Sequence, residues 1–147
     1  MSTVREVLRS KGNHVLMVTP GTPIVRVAQR MRHEHVGAFV VSTDGRHVEG
    51  LVTERDIVYG LARHGDATLG MPASALMSPA VHTCRFDDSV RAAMTTMTAS
   101  RVRHLPVIED GEVRGIISIG DVIKTYVDET DLEANVMRDA YLARRSR

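Results

Sequence analysis

Tryptophan is absent from this sequence, which has only three tyrosines and two phenylalanines among its 147 residues. Proteins that bind single-stranded nucleic acid commonly stack its bases on aromatic side chains, so this chain has little material for that function. The formal net charge of +1 adds no general attraction for nucleic acid or acidic lipid. We therefore expect partners to be recognised at local sites, with neither nucleic acid nor a membrane among them.

Cysteine is nearly absent as well, since Cys84 is the only one. It cannot form an intrachain disulfide and lies outside any Cys-x-x-Cys or Cys/His spacing, which favours a reducing, cytoplasmic location. No apolar run approaches the ~20 residues that a membrane-spanning helix needs. Residues 1–7 also lack the apolar core of a signal peptide. These absences predict a soluble protein.

One segment occurs twice, about half the chain apart. Residues 50–56 read GLVTERD and residues 115–121 read GIISIGD, so a glycine, two aliphatic residues, a hydroxyl residue and an aspartate recur at the same relative positions. Such a recurrence indicates an internal duplication. The duplication extends to the predicted elements, because each half has the order helix, strand, helix, strand, strand, helix.

The predicted fold is therefore mixed α/β (α+β), with two repeats that each pack helices on a small three-stranded sheet. The predicted helices cover 3–10, 23–34, 56–62, 73–77, 88–100 and the chain from 118 onward. The predicted strands cover 15–18, 38–41, 47–52, 81–84, 104–108 and 113–117. We place the first repeat at 1–70, the second at 71–128 and a helical extension at 129–147.

The extension carries an apolar stripe that requires a surface to cover it. The stripe is formed by Ile123, Tyr126, Val127, Thr130, Ala134, Met137 and Tyr141. Acidic residues come early in this helix, at 128–133, and arginines come late, at 138–147, which suits the helix dipole. We interpret these charges as a solvated face rather than a nucleic-acid site.

The repeated motif has two interpretations. A hydroxyl residue followed three positions later by an acid is close to a capping box, and this interpretation is favoured for either copy taken alone. A strand that runs into a helix N-terminus is also an anion site, where a hydroxyl group can donate to phosphate. An aspartate one turn later can accept from both hydroxyls of a ribose. Together, phosphate and ribose indicate a nucleotide.

The repeats resemble a pair of CBS domains, the tandem arrangement called a Bateman module, over roughly residues 4–127. The resemblance rests on the paired motifs, on the segment 36–41 (VGAFVV), and on the segment 103–108 (RHLPVI) followed by Asp110-Gly111. It implies two repeats packed through their sheets, related by a pseudo-two-fold axis, with two clefts between them. Such clefts bind AMP, ADP, ATP, NAD or S-adenosylmethionine, and the modules often form flat homodimers.

The resemblance also implies roles for individual residues. Asp56 and Asp121 would hold the ribose hydroxyls of the two clefts, and Thr53 and Ser118 would contact ribose or phosphate. Arg55 could reach phosphate, and Gly120, its counterpart, would leave room for the ligand. The positions expected to line adenine and phosphate are Val18, Thr19, Ala38, Cys84, Arg85, Arg103 and His104.

Arg103 and His104 are candidates for a phosphate clamp, with a surface pair before a strand as the equal alternative. When the two repeats are aligned, Arg55 corresponds to Gly120, and Gly37 corresponds to Arg103. These differences predict clefts of unequal affinity or different ligands.

Other combinations are weaker. His33-Glu34-His35 places residues two apart on a helix, where they point away from each other, so no metal is expected. No serine or cysteine lies in a nucleophile motif, so we expect no enzyme. The sequence thus predicts a sensor that binds adenosine-containing nucleotides and signals to a partner protein. The alternative is a structural dimerisation module whose motifs only cap helices.

Overall fold

The computed structural model describes residues 1–12, 14–80 and 82–145. Its helices are α1 (Val4–Lys11), α2 (Ile24–Glu34), α3 (Glu54–His64), α4 (Ala73–Leu76), α5 (Val90–Ser100) and α6 (Ile119–Arg145). Its strands are β1 (Met17–Val18), β2 (Ala38–Val41), β3 (Gly50–Thr53), β4 (His104–Glu109) and β5 (Glu112–Ser118). A 3-10 helix (Gly65–Gly70) lies between the predicted helices at 56–62 and 73–77, where no element is predicted. The mixed α+β class is confirmed.

The first half has the predicted three-stranded sheet. β1 pairs in parallel with β2, and β2 pairs antiparallel with β3. β3 starts three residues later than predicted, because Asp44 organises the preceding loop: its Oδ1 accepts hydrogen bonds from the backbone N–H groups of Arg46 and His47, each at 2.8 Å. β3 ends at Thr53, one residue beyond the predicted strand, and α3 follows at once, two residues earlier than predicted.

The prediction of a three-stranded sheet in the second half is wrong within the described residues, where the sheet contains only β4 and β5. The strand expected at 81–84 is reduced to one bridge between Cys84 and Val107, and Val81 lies outside the described residues. In the first sheet, Val40 N–H donates to Leu16 O at 3.0 Å. The corresponding position on β4 is Pro106, which has no N–H, so this ladder hydrogen bond cannot form.

Each half completes its core with a helix from the other half of the sequence. α1 buries Val4, Val7 and Leu8 against Cys84, β4 and β5, and Val4 N–H donates to Asp88 O at 2.9 Å. α4 buries Ala73 against α2 and the first sheet, and Ala73 N–H donates to Thr22 O at 2.8 Å. Each core is therefore built from both halves of the sequence, and the boundaries at 1–70 and 71–128 stay a prediction.

The two sheets face each other across a third apolar cluster. It contains Ala38, Val40 and Leu51 from the first sheet, and Val113 and Ile116 from the second. This contact places β3 with the start of α3, and β5 with the start of α6, on either side of the boundary between the halves. The duplicated motif lies at these two junctions.

α6 extends well beyond the second core. Val122 is fully buried and Tyr126 packs on the core, but Met137 and Tyr141 are 74% and 60% exposed. Arg147, which the sequence analysis assigned to the basic end of α6, lies outside the described residues, as does Asn13. In the part of the chain that the structure describes, no helix combines the length and the apolar character needed to cross a membrane.

Candidate functional site

The first copy of the motif forms the junction between β3 and α3. Thr53 Oγ1 accepts from the N–H of Asp56 at 3.3 Å, and Asp56 Oδ2 accepts from the N–H and the hydroxyl of Thr53 at 2.9 and 3.0 Å. These contacts form the capping box that the sequence predicts. The other carboxylate oxygen, Oδ1, accepts from the hydroxyl of Ser78 at 2.8 Å. Asp56 therefore caps α3 and also presents an oxygen beyond the helix.

Asp56 lines a cleft of about 500 Å³ between the two halves. The first half contributes β3 and the first two turns of α3, and the second half contributes the segment between α5 and β4. The lining residues are Gly37, Leu51, Thr53, Glu54, Arg55, Asp56, Val58, Tyr59, Ser78, Arg101, Val102, Arg103 and His104.

Gly37 lies where the two halves meet, because a Cβ added there would lie 3.5 Å from His104 Cε1. Glu54 N–H donates to Gly37 O at 3.0 Å, and a Cβ added at Gly37 would lie 2.8 Å from Glu54 Oε1, so a larger residue would displace that side chain. Arg101 ends α5 in the left-handed conformation, with a φ of 55°, which turns the chain from α5 toward β4. Residues 101–104 consequently lie opposite the first turn of α3.

The cleft has a small excess of positive charge, because three arginines line it together with the carboxylates of Glu54 and Asp56. Arg55, Arg101 and Arg103 are exposed, and within the described residues none of them forms an ion pair with a carboxylate. His104 adds no charge at neutral pH, because burial, and then the nearby Lys11, lower its pKa to about 4. A neutral imidazole can donate only one hydrogen bond, so Arg103 supplies the charge of the predicted clamp.

The second copy of the motif forms the junction between β5 and α6. Ser118 Oγ accepts from Asp121 N–H at 3.2 Å, and Asp121 Oδ2 accepts from Ser118 N–H at 2.8 Å. Lys11 Nζ also donates to Asp121 Oδ2, at 2.7 Å, and to Ile116 O, at 3.0 Å. Burial raises the pKa of Asp121, but the hydrogen bonds from Lys11 and Ser118 outweigh it and leave that pKa below its ordinary value.

The structure brings together only some of the predicted site residues. Thr53, Arg55, Asp56, Arg103 and His104 all line the cleft. Ser118, Gly120 and Asp121 lie at the second junction instead, where a Cβ added at Gly120 would meet nothing closer than Ser118 Oγ at 3.7 Å. The space around Gly120 is therefore open, and its role beside a ligand stays a prediction.

The remaining predicted residues do not line this cleft. Val18, Ala38 and Cys84 belong to the apolar cores, and burial raises the pKa of the Cys84 thiol to about 12. The hydroxyl of Thr19 is hydrogen-bonded to that of Thr22 at 2.9 Å, and Arg85 donates its backbone N–H to Asp88. Their assignment to a ligand stays a prediction.

Several residues of the cleft were missed by the sequence analysis. Ser78 lies far along the chain from Asp56, and no local pattern links a serine before a proline to that carboxylate. Tyr59 and Val58 are 63% and 59% exposed on α3, although the helical pattern gave no reason to set them apart. Arg101 could have been found from its position, two residues before Arg103 and at the end of a predicted helix.

The arrangement is suited to a ligand with a polyol and an anionic group. Asp56 offers a carboxylate beside a serine hydroxyl, the first turn of α3 has a positive dipole end, and three arginines surround the opening. Among the described residues, no group of three or more His, Cys, Asp or Glu is placed to hold a metal ion.

Two facing α+β repeats with a polar cleft between them define a class of tandem-repeat ligand-binding module. The chain belongs to the CBS domain family: the model of the CBS domain matches residues 4–63 and 73–128. The chain is 31% identical over 136 residues to a mitochondrial CBS domain-containing protein of Arabidopsis thaliana, covering 87% of this chain and 66% of the plant protein.

Solved structures agree with this assignment. A CBS-domain containing protein from Agrobacterium tumefaciens superposes with a TM-score of 0.81 and 39% identity, covering 85% of this chain and 99% of the other. A CBS domain protein from Pyrobaculum aerophilum, solved in complex with AMP, superposes with a TM-score of 0.72 and 27% identity, covering 82% and 89% of the two chains.

Proposed function

We propose that this protein is a regulatory sensor that binds an adenosine-containing nucleotide in the cleft between its repeats. The observation that carries the proposal is the composition of the 500 Å³ cleft, where Asp56 and the unpaired Arg55, Arg101 and Arg103 face one space. The carboxylate is suited to the ribose hydroxyls and the arginines to phosphate oxygens. The AMP complex of the Pyrobaculum aerophilum relative supports the same ligand class.

The arginines also bear on which nucleotide is preferred. AMP, ADP, ATP and NAD all carry phosphate, whereas S-adenosylmethionine does not, so an excess of guanidinium groups favours the phosphorylated ligands. A series from adenosine through AMP and ADP to ATP separates the contribution of the ribose from that of each phosphate. Affinity that rises along this series would support the role of the arginines, and equal affinity throughout would contradict it.

The role is regulatory rather than catalytic. Nucleotide binding stabilises the folded state, by about 2.7 kcal/mol at a ligand concentration one hundred times the Kd. Part of this energy can change the relative position of the two halves, because residues on both sides of the cleft would contact the ligand. A partner protein would read that change. Turnover of a nucleotide that depends on Asp56 or Asp121 would contradict this role.

The protein would act as a homodimer in a reducing compartment such as the cytoplasm. The support for a second copy is the exposed stripe on α6, together with its charge: Asp131 and Glu133 precede Arg138, Arg144 and Arg145 along the helix. Two such helices packed antiparallel place acidic residues opposite basic ones. Parallel packing would place like charges together.

The substitution Asp56→Ala tests the binding role. Removal of the carboxylate should abolish nucleotide binding by calorimetric titration, and loss of the cap should lower the free energy of unfolding by about 1 kcal/mol. Ser89→Ala is the matched control, because Ser89 Oγ caps α5 by accepting from Ala92 N–H at 3.0 Å outside the cleft. Ser89→Ala should lower the free energy of unfolding by a similar amount and leave nucleotide binding unchanged.

The rival function, a structural dimerisation module, is favoured by the capping geometry of Thr53 and Asp56. It predicts that the wild-type protein gives no thermal shift with AMP, ADP, ATP, NAD or S-adenosylmethionine. It also predicts that Asp56→Ala and Ser89→Ala behave alike in every assay.

A further inference from the structure

The two copies of the motif present the same pair of acceptors to different donors. In the first half, Ser78 satisfies both: its backbone N–H donates to Leu51 O at 2.8 Å and its hydroxyl to Asp56 Oδ1 at 2.8 Å. In the second half, the aligned acceptors are Ile116 O and the carboxylate of Asp121, and both accept from the single ammonium group of Lys11. Lys11 contacts Oδ2, the oxygen that also accepts from Ser118 N–H, whereas Ser78 contacts the oxygen of Asp56 that does not cap the helix. Lys11 thus takes the place of a backbone amide and a hydroxyl.

This exchange changes the electrostatics of the second junction. A serine hydroxyl is neutral and can exchange its hydrogen bond for one to a ribose hydroxyl. An ammonium group forms a charge-assisted hydrogen bond and neutralises the carboxylate. The side chains of Lys11 and Asp121 are 28% and 25% exposed, so their contact is largely shielded from water. Lys11 Nζ and Ser118 N–H both donate to Oδ2, so a ribose whose two hydroxyls donate to both oxygens of Asp121 would have to displace Lys11.

We propose that Lys11 closes the second cleft to nucleotide, so that the module binds one nucleotide per chain, at Asp56. This inference rests on the proposed function, since it takes the two aspartates as equivalent ribose acceptors. It also gives a physical cause for the predicted inequality of the clefts. Lys11 is then the residue that sets the stoichiometry of the sensor.

The substitution Lys11→Ala, with Lys11→Met as a second variant that keeps most of the apolar stem, tests the inference by calorimetric titration with ATP and AMP. The wild-type protein should bind one nucleotide per chain and each variant should bind two. A hydrogen bond to a charged group contributes about 1.5–3 kcal/mol, so the second cleft should gain roughly 10- to 100-fold in affinity. Lys124→Ala is the matched control, because it removes the other lysine of the chain from the exposed side of α6.

Combination with Asp56→Ala isolates the second cleft. Asp56→Ala alone should bind no nucleotide, and Lys11→Ala with Asp56→Ala should bind one, which Asp121→Ala should then remove. Two wild-type sites, or variants at Lys11 that still bind one nucleotide, would overturn the closure by Lys11 and leave the proposed function intact.

The assignment of the nucleotide site to Asp56 can also fail while the role of Lys11 holds. If the wild-type protein binds no nucleotide but Lys11→Ala binds one at Asp121, the role of Lys11 stands and the assignment of the first cleft fails. If neither protein binds any nucleotide, both are wrong.

Discussion

The imidazole of His104 lies at the boundary between the two halves. It lines the cleft, it is close to Lys11 and Asp121, and its Cε1 would lie 3.5 Å from a Cβ added at Gly37. Burial lowers its pKa from 6.5 to about 4. Because the folded state binds a proton here less readily than the unfolded state, His104 makes stability depend on pH.

We expect the free energy of unfolding to fall between pH 6.5 and pH 4. In that range the unfolded chain protonates this histidine and the folded protein does not, so stability rises with pH and the loss is complete below about pH 4. The contribution is of order 3 kcal/mol, since each pKa unit corresponds to about 1.4 kcal/mol. Urea denaturation of the wild type and His104→Gln across this range measures it, because the substitution should flatten the profile. His64→Gln, at an exposed position on α3, should not flatten it.

Pairs of residues far apart in sequence determine the two β–α junctions. Ser78, which follows α4, donates a hydrogen bond to Asp56 of the first motif. Lys11, the last residue of α1, donates a hydrogen bond to Asp121 of the second motif. The repeated motif itself is nearly the same in both halves. The difference between the junctions therefore arises from residues outside the motif.

At the scale of elements, β3 makes its closest contact with the segment after α4. A Cβ added at Gly50 would lie 2.8 Å from Met77 Sδ and 2.9 Å from the backbone oxygen of Ser78. That oxygen accepts from Leu51 N–H at 2.9 Å, so the backbone cannot retreat without breaking the bridge. Gly50 is required because two backbones approach each other here, and not because of its own φ.

Gly50→Ala should therefore destabilise the protein by about 1–3 kcal/mol, the usual cost of overpacking a closely packed position. Displacement of Ser78 should also weaken nucleotide binding, since Ser78 holds Asp56. Thermal denaturation and calorimetric titration measure the two effects. Gly21→Ala is the control, because a Cβ at Gly21 meets nothing within 4 Å. Equal stability of the two variants would show that the segment moves aside freely.

At the scale of the whole molecule, the exposed half of α6 is the surface that a second copy would cover. Asp131 and Arg138 lie on either side of Ala134, so an antiparallel pair centred near Ala134 would place each Asp131 opposite the Arg138 of the other copy. The small side chain of Ala134 permits close approach at that centre.

We expect Asp131→Arg to weaken the dimer in sedimentation equilibrium, because it places two basic residues together. Arg138→Asp should weaken the dimer similarly. The double variant Asp131→Arg with Arg138→Asp should restore the dimer, because the acidic and basic residues only exchange positions. A wild-type protein that sediments as a monomer would contradict the dimer. Single variants that sediment as dimers would contradict this interface.

Much of the fold follows from patterns within short segments. Apart from the strand expected at 81–84, the helices and strands occur in the predicted order, and β3 ends within one residue of its predicted end. The Asp110-Gly111 turn joins β4 to β5 with both residues in the left-handed conformation. These features depend on local periodicity, capping and turn chemistry, which a sequence displays directly. The third strand of the second sheet was predicted wrongly because its hydrogen bonding depends on a residue of another strand, Pro106.

The sequence by itself determined the duplication, the CBS family and the aspartates that cap α3 and α6, since each of these depends on residue types at short, fixed spacings. Tertiary structure alone decided which helix completes which core, which residues line the cleft, and that Ser78 contacts Asp56 where Lys11 contacts Asp121. The physical reason is that these contacts join segments distant along the chain. Their distances are set by packing, which the residue pattern of either segment does not record.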